Sequence, residues 1–231
     1  MANQDQLTLL LTRGALAWNQ YRKNHPDSAV DLSGADFSGA DLSSANLGDA
    51  DLSDADLSRA TLHHVYLKGA NLSGANLSEA TIRSAYLGGS RLIGTNFSHS
   101  DLSHSDLSQA LLRGANLSSA NFNESNLSES NLIEAKLDAG DFIRTNLSKA
   151  DLSRAGLERA SLQQANLSGA NLSGADLSGT YLNGADLSGA NLSSANLSGT
   201  YLNGANLSGA DLSGADLDLA DLRTDFNKPK H

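Results

Sequence analysis

Residues 180–199 read TYLNGADLSGANLSSANLSG, and residues 200–217 read TYLNGANLSGADLSGADL. Two periods are nested here. The shorter is five: Leu182, Leu187, Leu192 and Leu197 recur at that step, each two places after a small residue, Thr180, Ala185, Ala190 and Ala195. The longer is 20, and it carries Tyr181 to Tyr201. Outward from this stretch the five-residue step runs unbroken from Val30 to Thr224, 39 pentads in 195 residues. The central residue is Leu, Phe or Ile throughout, from Leu32 to Leu222, and the residue two before it is always Ala, Ser, Thr, Val or Gly.

A strand repeats its buried side every two residues and a helix every 3.6, so a period of five fits neither. Both apolar positions point inward if the chain turns a corner once per pentad. Four corners close a square, and one coil then takes 20 residues. Tyr66 and Tyr86 share that spacing, as do Phe122 and Phe142. Coils stacked at strand spacing would bond backbone to backbone along a rod about 45–50 Å long. Asp or Asn fills 28 of the 39 positions before the central residue, Ser usually follows it, and Gly often closes the pentad. These residues form turns by bonding nearby backbone. The inward small residue must stay small, so Ala115→Leu is expected to overpack the core.

The A-(D/N)-L-x-x array resembles the pentapeptide repeat family over Val30–Thr224, about 84% of the chain. The resemblance implies an all-β solenoid, a right-handed quadrilateral parallel β-helix, here with nearly ten coils of 20 residues and an N-terminal α-helical cap. The leader, with Ala17-Trp18-Asn19-Gln20-Tyr21-Arg22 and Asn24-His25-Pro26-Asp27, is similar to helical leaders of cyanobacterial members. The expected division is 1–29 helical cap, 30–224 repeat, and 225–231 a short tail in which Phe226 plugs the last coil.

Within the leader, Leu7, Leu10, Leu11, Gly14, Ala15 and Trp18 follow one helical face. Asn3 with Gln6 resembles a capping box, and Pro26 ends the helix by about Asn24 or His25. A glycine on that stripe would let the helix approach closely what it covers. The helix is read as the cover of an open first coil rather than as a partner-binding element, because a solenoid end exposes core and unpaired backbone.

The chain has no cysteine, which excludes disulfides, thiol catalysis and zinc–cysteine sites. The start shows no basic, apolar signal segment, and apolar runs such as Leu9–Leu11 are far too short to span a bilayer, so the expected compartment is the cytoplasm. Carboxylates sit at a fixed repeat position and are structural first. No catalytic, cofactor-binding or metal-ligating set emerges, and the chain is read as non-enzymatic. His63, His64 and His104 fall on one edge and His99 at a neighbouring corner. Two coils, roughly 9–10 Å, separate His64 from His104, too far to share zinc ligands about 2 Å from the metal. Eleven Asn-x-Ser triplets follow from the repeat itself. Leu87-Gly88-Gly89-Ser90 lacks the Lys of a phosphate loop. The pairs Tyr66/Tyr86 and Tyr181/Tyr201 are expected to stack as outward ladders, with a contact patch as the other reading.

Charge is uneven. The net charge is −10. Residues 30–58 hold seven Asp and residues 160–222 six, with no Lys or Arg in either. Residues 59–159 hold ten acids and ten bases, and there Arg83, Arg91, Arg113, Lys136 and Arg144 replace repeat residues while Leu111, Ile133 and Ile143 add outward apolar surface. Together with Tyr66 and Tyr86, these five basic residues form the expected partner-binding surface. The expected function is a protein-interaction or scaffold module, and the family resemblance extends this to regulation such as heterocyst patterning in cyanobacteria. The alternative, also implied by the family, is an acidic DNA mimic acting on a type II topoisomerase. The central bases and the absence of a projecting loop count against that alternative. Direct nucleic-acid binding is disfavoured for want of a basic stripe. The chain is expected to be a monomer or a weak homodimer through exposed Leu219.

Overall fold

The computed structural model describes residues 2–221. The expected plug at Phe226 and the last repeat step to Thr224 lie outside the described residues. From Val30 the chain advances in coils of 20 residues. Parallel bridges join each outward residue to the one 20 places on, from Asp31–Asp51 to Tyr201–Asp221, with no slip in register. Asp51 donates its N–H to the Val30 carbonyl at 2.8 Å, and its own carbonyl accepts from Leu32 at 2.7 Å. Pairing involves one residue per side of the square, so the described coils contain isolated parallel bridges and no continuous strand.

The corners explain why. Every fifth residue from Gly34 to Leu219 has φ between 53° and 71°. Just after it, the residue three along donates back across the turn, as Ala35 does to the Leu32 carbonyl at 3.2 Å. Positive φ at the third turn position with that bond is type II geometry. A turn in every pentad leaves a single extended residue to pair. Of these corner residues, 22 are not glycine, although an L side chain is disfavoured there.

The core is a column of central Leu and Phe with Ala packed beside them, buried from Leu32 to Leu207. Phe122 and Phe142 stack at 5.1 Å and 7°. At the inward small position the Ser or Thr hydroxyl finds a partner in every described case but Ser90: Ser100 donates to the Phe97 carbonyl at 2.6 Å, and Thr145 to that of Phe122 at 2.7 Å. Ser105 spans a widened turn, accepting from Ala85 N–H at 3.0 Å and donating to the Ile82 carbonyl at 2.7 Å. These hydroxyls are thereby satisfied at little cost.

Helix α1, Gln4–Asn24, lies over the first coil. Asn3 caps it, its side chain accepting from Asp5 and Gln6 N–H at 3.1 Å each. Gln6 does not close the expected capping box. It reaches the repeat instead, donating to the Ala29 carbonyl at 2.8 Å and accepting from Asp31 N–H at 3.2 Å. Asn19 Oδ1 accepts from Asn46 N–H at 2.7 Å, Trp18 Nε1 donates to the Asn46 carbonyl at 2.7 Å, and Arg22 donates to Gly48 at 3.0 Å. Side chains of α1 thus supply bonds that a preceding coil would otherwise make. Two features of the expected stripe are corrected. Leu11 is 46% exposed, and the buried residues of α1 are Gln6, Leu10 and Trp18. Gly14 has φ 69° and ψ −177° and breaks the helix in two. No heavy atom lies within 4 Å of a Cβ placed there, so glycine serves the backbone bend rather than a close approach.

Candidate interaction surface

Four flat sides run along the rod, each named here by its first outward residue: Asp31, Asp36, Asp41 and Asn46. On each side the Asp or Asn carbonyl oxygen accepts from the N–H two residues on, as Asp51 does from Ser53 at 3.0 Å. An Asn one coil later donates to the same oxygen. Asn76, Asn96 and Asn116 form such a ladder from Asp56, at 3.2, 3.1 and 3.2 Å. The repeat's Asp and Asn are therefore turn and ladder parts. Serine two residues on, through its hydroxyl and N–H, holds Asp31, Asp36 and Asp41 below the ordinary carboxylate range. At Asp101, burial works against ionisation, but Ser103 and the Arg83 guanidinium bring its carboxyl down overall.

Corner side chains pair from coil to coil. Glu124 takes His104 at 3.5 Å and Arg144 at 3.7 Å, and Arg144 donates on to Gln164 at 2.9 Å. Glu134 takes Arg113 at 3.2 Å and Arg154 at 3.7 Å, and Arg59 lies 3.5 Å from Glu79. All are exposed and individually weak. They nonetheless give residues held at positive φ something to bond.

The structure distributes the expected surface residues over several sides. Tyr66 and Tyr86 share the Asn46 side, while Arg83 and Arg144 flank the corner before it. Arg83 is engaged with Asp101 at 2.6 Å. Arg91 and Arg113 belong to the Asp31 side, and Lys136 to the Asp36 side. Arg91 and Lys136 have no ion pair among the described residues.

What stands out on the Asp31 side is a block spanning three adjacent coils. Arg91 bridges to Leu111, and Leu111 to Asn131, with Ile93, Arg113 and Ile133 in the parallel row. Leu111 is 40% exposed. With Arg at 91 and Leu at 111, the N–H groups of Ile93 and Arg113 receive no side-chain acceptor among the described residues. The same N–H also goes without a side-chain acceptor, among the described residues, two places after Thr61, Tyr66, Thr81, Tyr86, Lys136, Ser161, Tyr181 and Tyr201, and is repaired in one case. Gly156 offers no acceptor, and Asp138 from the coil before accepts the Glu158 N–H at 3.1 Å in its place. The apolar members Ile93 and Leu111 were not visible as a unit with Arg91 and Arg113 until the 20-residue step placed them side by side. The signal was available, since 93, 113 and 133 share that step.

The tyrosine pairs differ. Tyr181 and Tyr201 stack at 4.9 Å and 5°, as expected. Tyr66 and Tyr86 do not: their centroids are 6.3 Å apart and tilted 43°. Among the described residues no group of three or more His, Asp or Glu is arranged to hold a metal ion, and no helix is long and apolar enough to cross a membrane.

A chain of stacked 20-residue coils, cornered every five residues, defines a class of tandem-repeat solenoids. The family described as Pentapeptide repeats (8 copies) matches residues 28–59, 125–164, 150–189 and 185–223, and Pentapeptide repeat region matches residues 60–137. The chain belongs to the pentapeptide repeat family, whose fold is a right-handed β-helix solenoid. It is 40% identical to HetL, a pentapeptide repeat protein involved in heterocyst differentiation regulation from the cyanobacterium Nostoc sp. strain PCC 7120, over 84% of this chain and 85% of that one, with a TM-score of 0.45. It is 35% identical to Rfr23 from the cyanobacterium Cyanothece 51142 over 48% and 64% of the two chains, TM-score 0.16. QnrB1, a plasmid-mediated fluoroquinolone resistance protein, is 20% identical over 86% and 92%, TM-score 0.41. No curated protein sequence matches the chain.

Proposed function

We propose that this chain is a non-enzymatic protein-interaction module, a rod of nearly ten coils closed at its N-terminal end by α1, which docks a partner protein through the middle of its Asp31 side. The observation carrying this reading is the block of Arg91, Ile93, Leu111, Arg113 and Ile133. There two Arg and three aliphatic side chains take repeat positions over three successive coils of one side, with Leu111 exposed. The Arg91 guanidinium, with no ion pair among the described residues, beside three aliphatic side chains and an Arg113 already paired with Glu134, suits a partner whose contact face is apolar with an acidic neighbour. Arg is among the residue types that carry interface energy, and coil-to-coil bridging leaves no strand edge along this side for a partner strand to extend. Likeness to HetL, a regulatory protein of the same family, supports an interaction role of this kind.

A photo-crosslinking amino acid placed at Leu111 in the intact protein tests it. Discrete protein adducts are expected at Leu111 and not at Asn196 on the Asp36 side, and Arg91→Glu with Arg113→Glu should remove them. Equal adducts at both positions, or adducts unaffected by the two charge reversals, would refute the assignment of this side.

A further inference from the structure

The residue after the central Leu is Gly at only two of the repeat's pentads, Gly48 and Gly88, and Ser at most others. Both lie on the Asn46 side, bracketing Tyr66 and Tyr86. A Cβ on Gly48 would stand 2.6 Å from Tyr66 Cε1, so the Tyr66 ring fills the space that serine takes elsewhere. That lean separates it from Tyr86. The second tyrosine pair, with Gln163 and Asn203 at the equivalent positions, has no such space and stacks. Gly88 then leaves bare backbone beside Tyr86. A cleft of about 360 Å³ results, with Tyr66 and Tyr86 on one flank, Lys68 above and Asp106 below.

Asp106 divides its two carboxylate oxygens. Oδ1 belongs to the scaffold, accepting Ser108 N–H at 3.0 Å and Asn126 Nδ2 at 3.1 Å. Oδ2 has no such partner and lies 3.6 Å from the Cβ position of Gly88, over the floor of the cleft. Two aromatic faces beside an uncommitted carboxylate oxygen match a planar cation. A guanidinium stacks on tyrosine and donates to carboxylate in one pose, which a compact ammonium does less well. Lys68 at the opposite rim disfavours a second cation and favours a peptide carbonyl. The tyrosines are 42% and 52% exposed, so the cleft is shallow and does not enclose a free small molecule. It suits one side chain anchoring a larger body, on a rod whose net charge is −10.

We propose that the Tyr66–Tyr86 cleft is a socket for an arginine side chain of a partner protein, its guanidinium over the rings and on Asp106 Oδ2. This deepens the interaction role proposed above and rests on it. The probe is N-acetyl-arginine N-methylamide, titrated into the full chain with ¹³C-labelled tyrosine rings. Saturable shifts of Tyr66 and Tyr86 are expected with a Kd on the order of millimolar, the scale of one anchored side chain. Tyr21, Tyr181 and Tyr201 should stay still. The citrulline analogue, which keeps the shape without the charge, should bind at least about tenfold more weakly. Gly88→Ser restores the repeat's usual residue and fills the floor. Asp106→Asn keeps the Oδ1 acceptor and removes the charge. Both should melt like the parent and lose the shifts.

Uniform shifts of all five tyrosines, equal binding of the citrulline analogue, or unchanged binding by either variant would overturn the socket. Free arginine binding about tenfold tighter than the capped amide would make this a small-molecule site and overturn the partner assignment. Adducts at Leu111 without an arginine response would sink the socket alone. An arginine response without adducts at any side would sink the docking role instead.

Discussion

Gly140 occupies the inward position that is Ala in most pentads, and here the usual residue would be harmful. A Cβ at Gly140 would meet Phe142 Cε2 at 2.6 Å and the Leu137 carbonyl at 3.0 Å. The Phe122–Phe142 stack has consumed that volume. Gly140→Ala is therefore expected to destabilise by about 1–3 kcal/mol, read from chemical denaturation. Corners invert the rule. Ala139 holds φ 53° and Gly174 φ 64°, with only Arg154 Cγ, at 3.9 Å, near a Cβ at the latter. Ala139→Gly should stabilise by up to about 1 kcal/mol and Gly174→Ala should destabilise by about as much, because the strain of a side chain at positive φ is the main difference. If both substitutions shift the melting midpoint in the same direction, corner strain is not the governing term.

At the scale of elements, α1 and the first coil form one unit, since Trp18, Asn19 and Arg22 bond Asn46 and Gly48. Turn acceptors in coils one and two include Asp31, Asp36, Asp41 and Asp56, all held below their ordinary value of about 3.9 by the serine two places on. Their folded-state pKa is depressed, so the unfolded chain binds more protons in acid. Their stabilisation is complete above about pH 4 and is lost as pH falls through the folded values. The third coil carries Asn71 and Asn76, which do not titrate, and beyond it the acceptors likewise held low are Asp101 and Asp211. Acid is thus expected to loosen the N-terminal end first. Emission of Trp18, the only tryptophan, should change at a higher pH than the far-UV signal of the whole rod. Replacing Asp31, Asp36 and Asp41 by Asn, which keeps the acceptor oxygen, should bring the two transitions together, and coincident transitions in the parent would refute the mechanism. The repeat was readable because one residue type recurs at each register position and the same contact follows each time. Helix α1 was less so. Its apolar residues exceed what it buries, as Leu11 and Leu16 show, and nothing local announces that Gly14 adopts an extended, positive-φ break instead of continuing the helix.

At the scale of the whole molecule, an uninterrupted register converts sequence distance directly into position along the rod, so charge bands in the sequence become bands in space. The acidic ends are runs of turn acceptors. In the centre, ion pairs absorb Arg59, Arg83, Arg113, Arg144, Arg154 and Arg159. The candidate surface was only half legible for the same reason: basic residues are conspicuous in the sequence, but which of them is already spoken for depends mostly on carboxylates 18 to 21 residues away, as for Arg83 and Arg113. The Tyr66–Tyr86 cleft was missed because glycine at a serine position reads as a turn variation until the ring above it is seen. This charge pattern also bears on DNA mimicry. A duplex surrogate needs acidic rows continuous along the rod, and on the Asp31 and Asp36 sides Arg91, Leu111, Lys136 and Gly156 interrupt them. Added to a DNA gyrase supercoiling reaction, the protein is therefore expected to leave the rate unchanged up to about tens of micromolar, a range in which even a binder of modest affinity would register. Inhibition at or below about one micromolar that is relieved by Asp→Asn changes at the acidic ends would reverse the assignment, making those ends the working surface and the central block incidental.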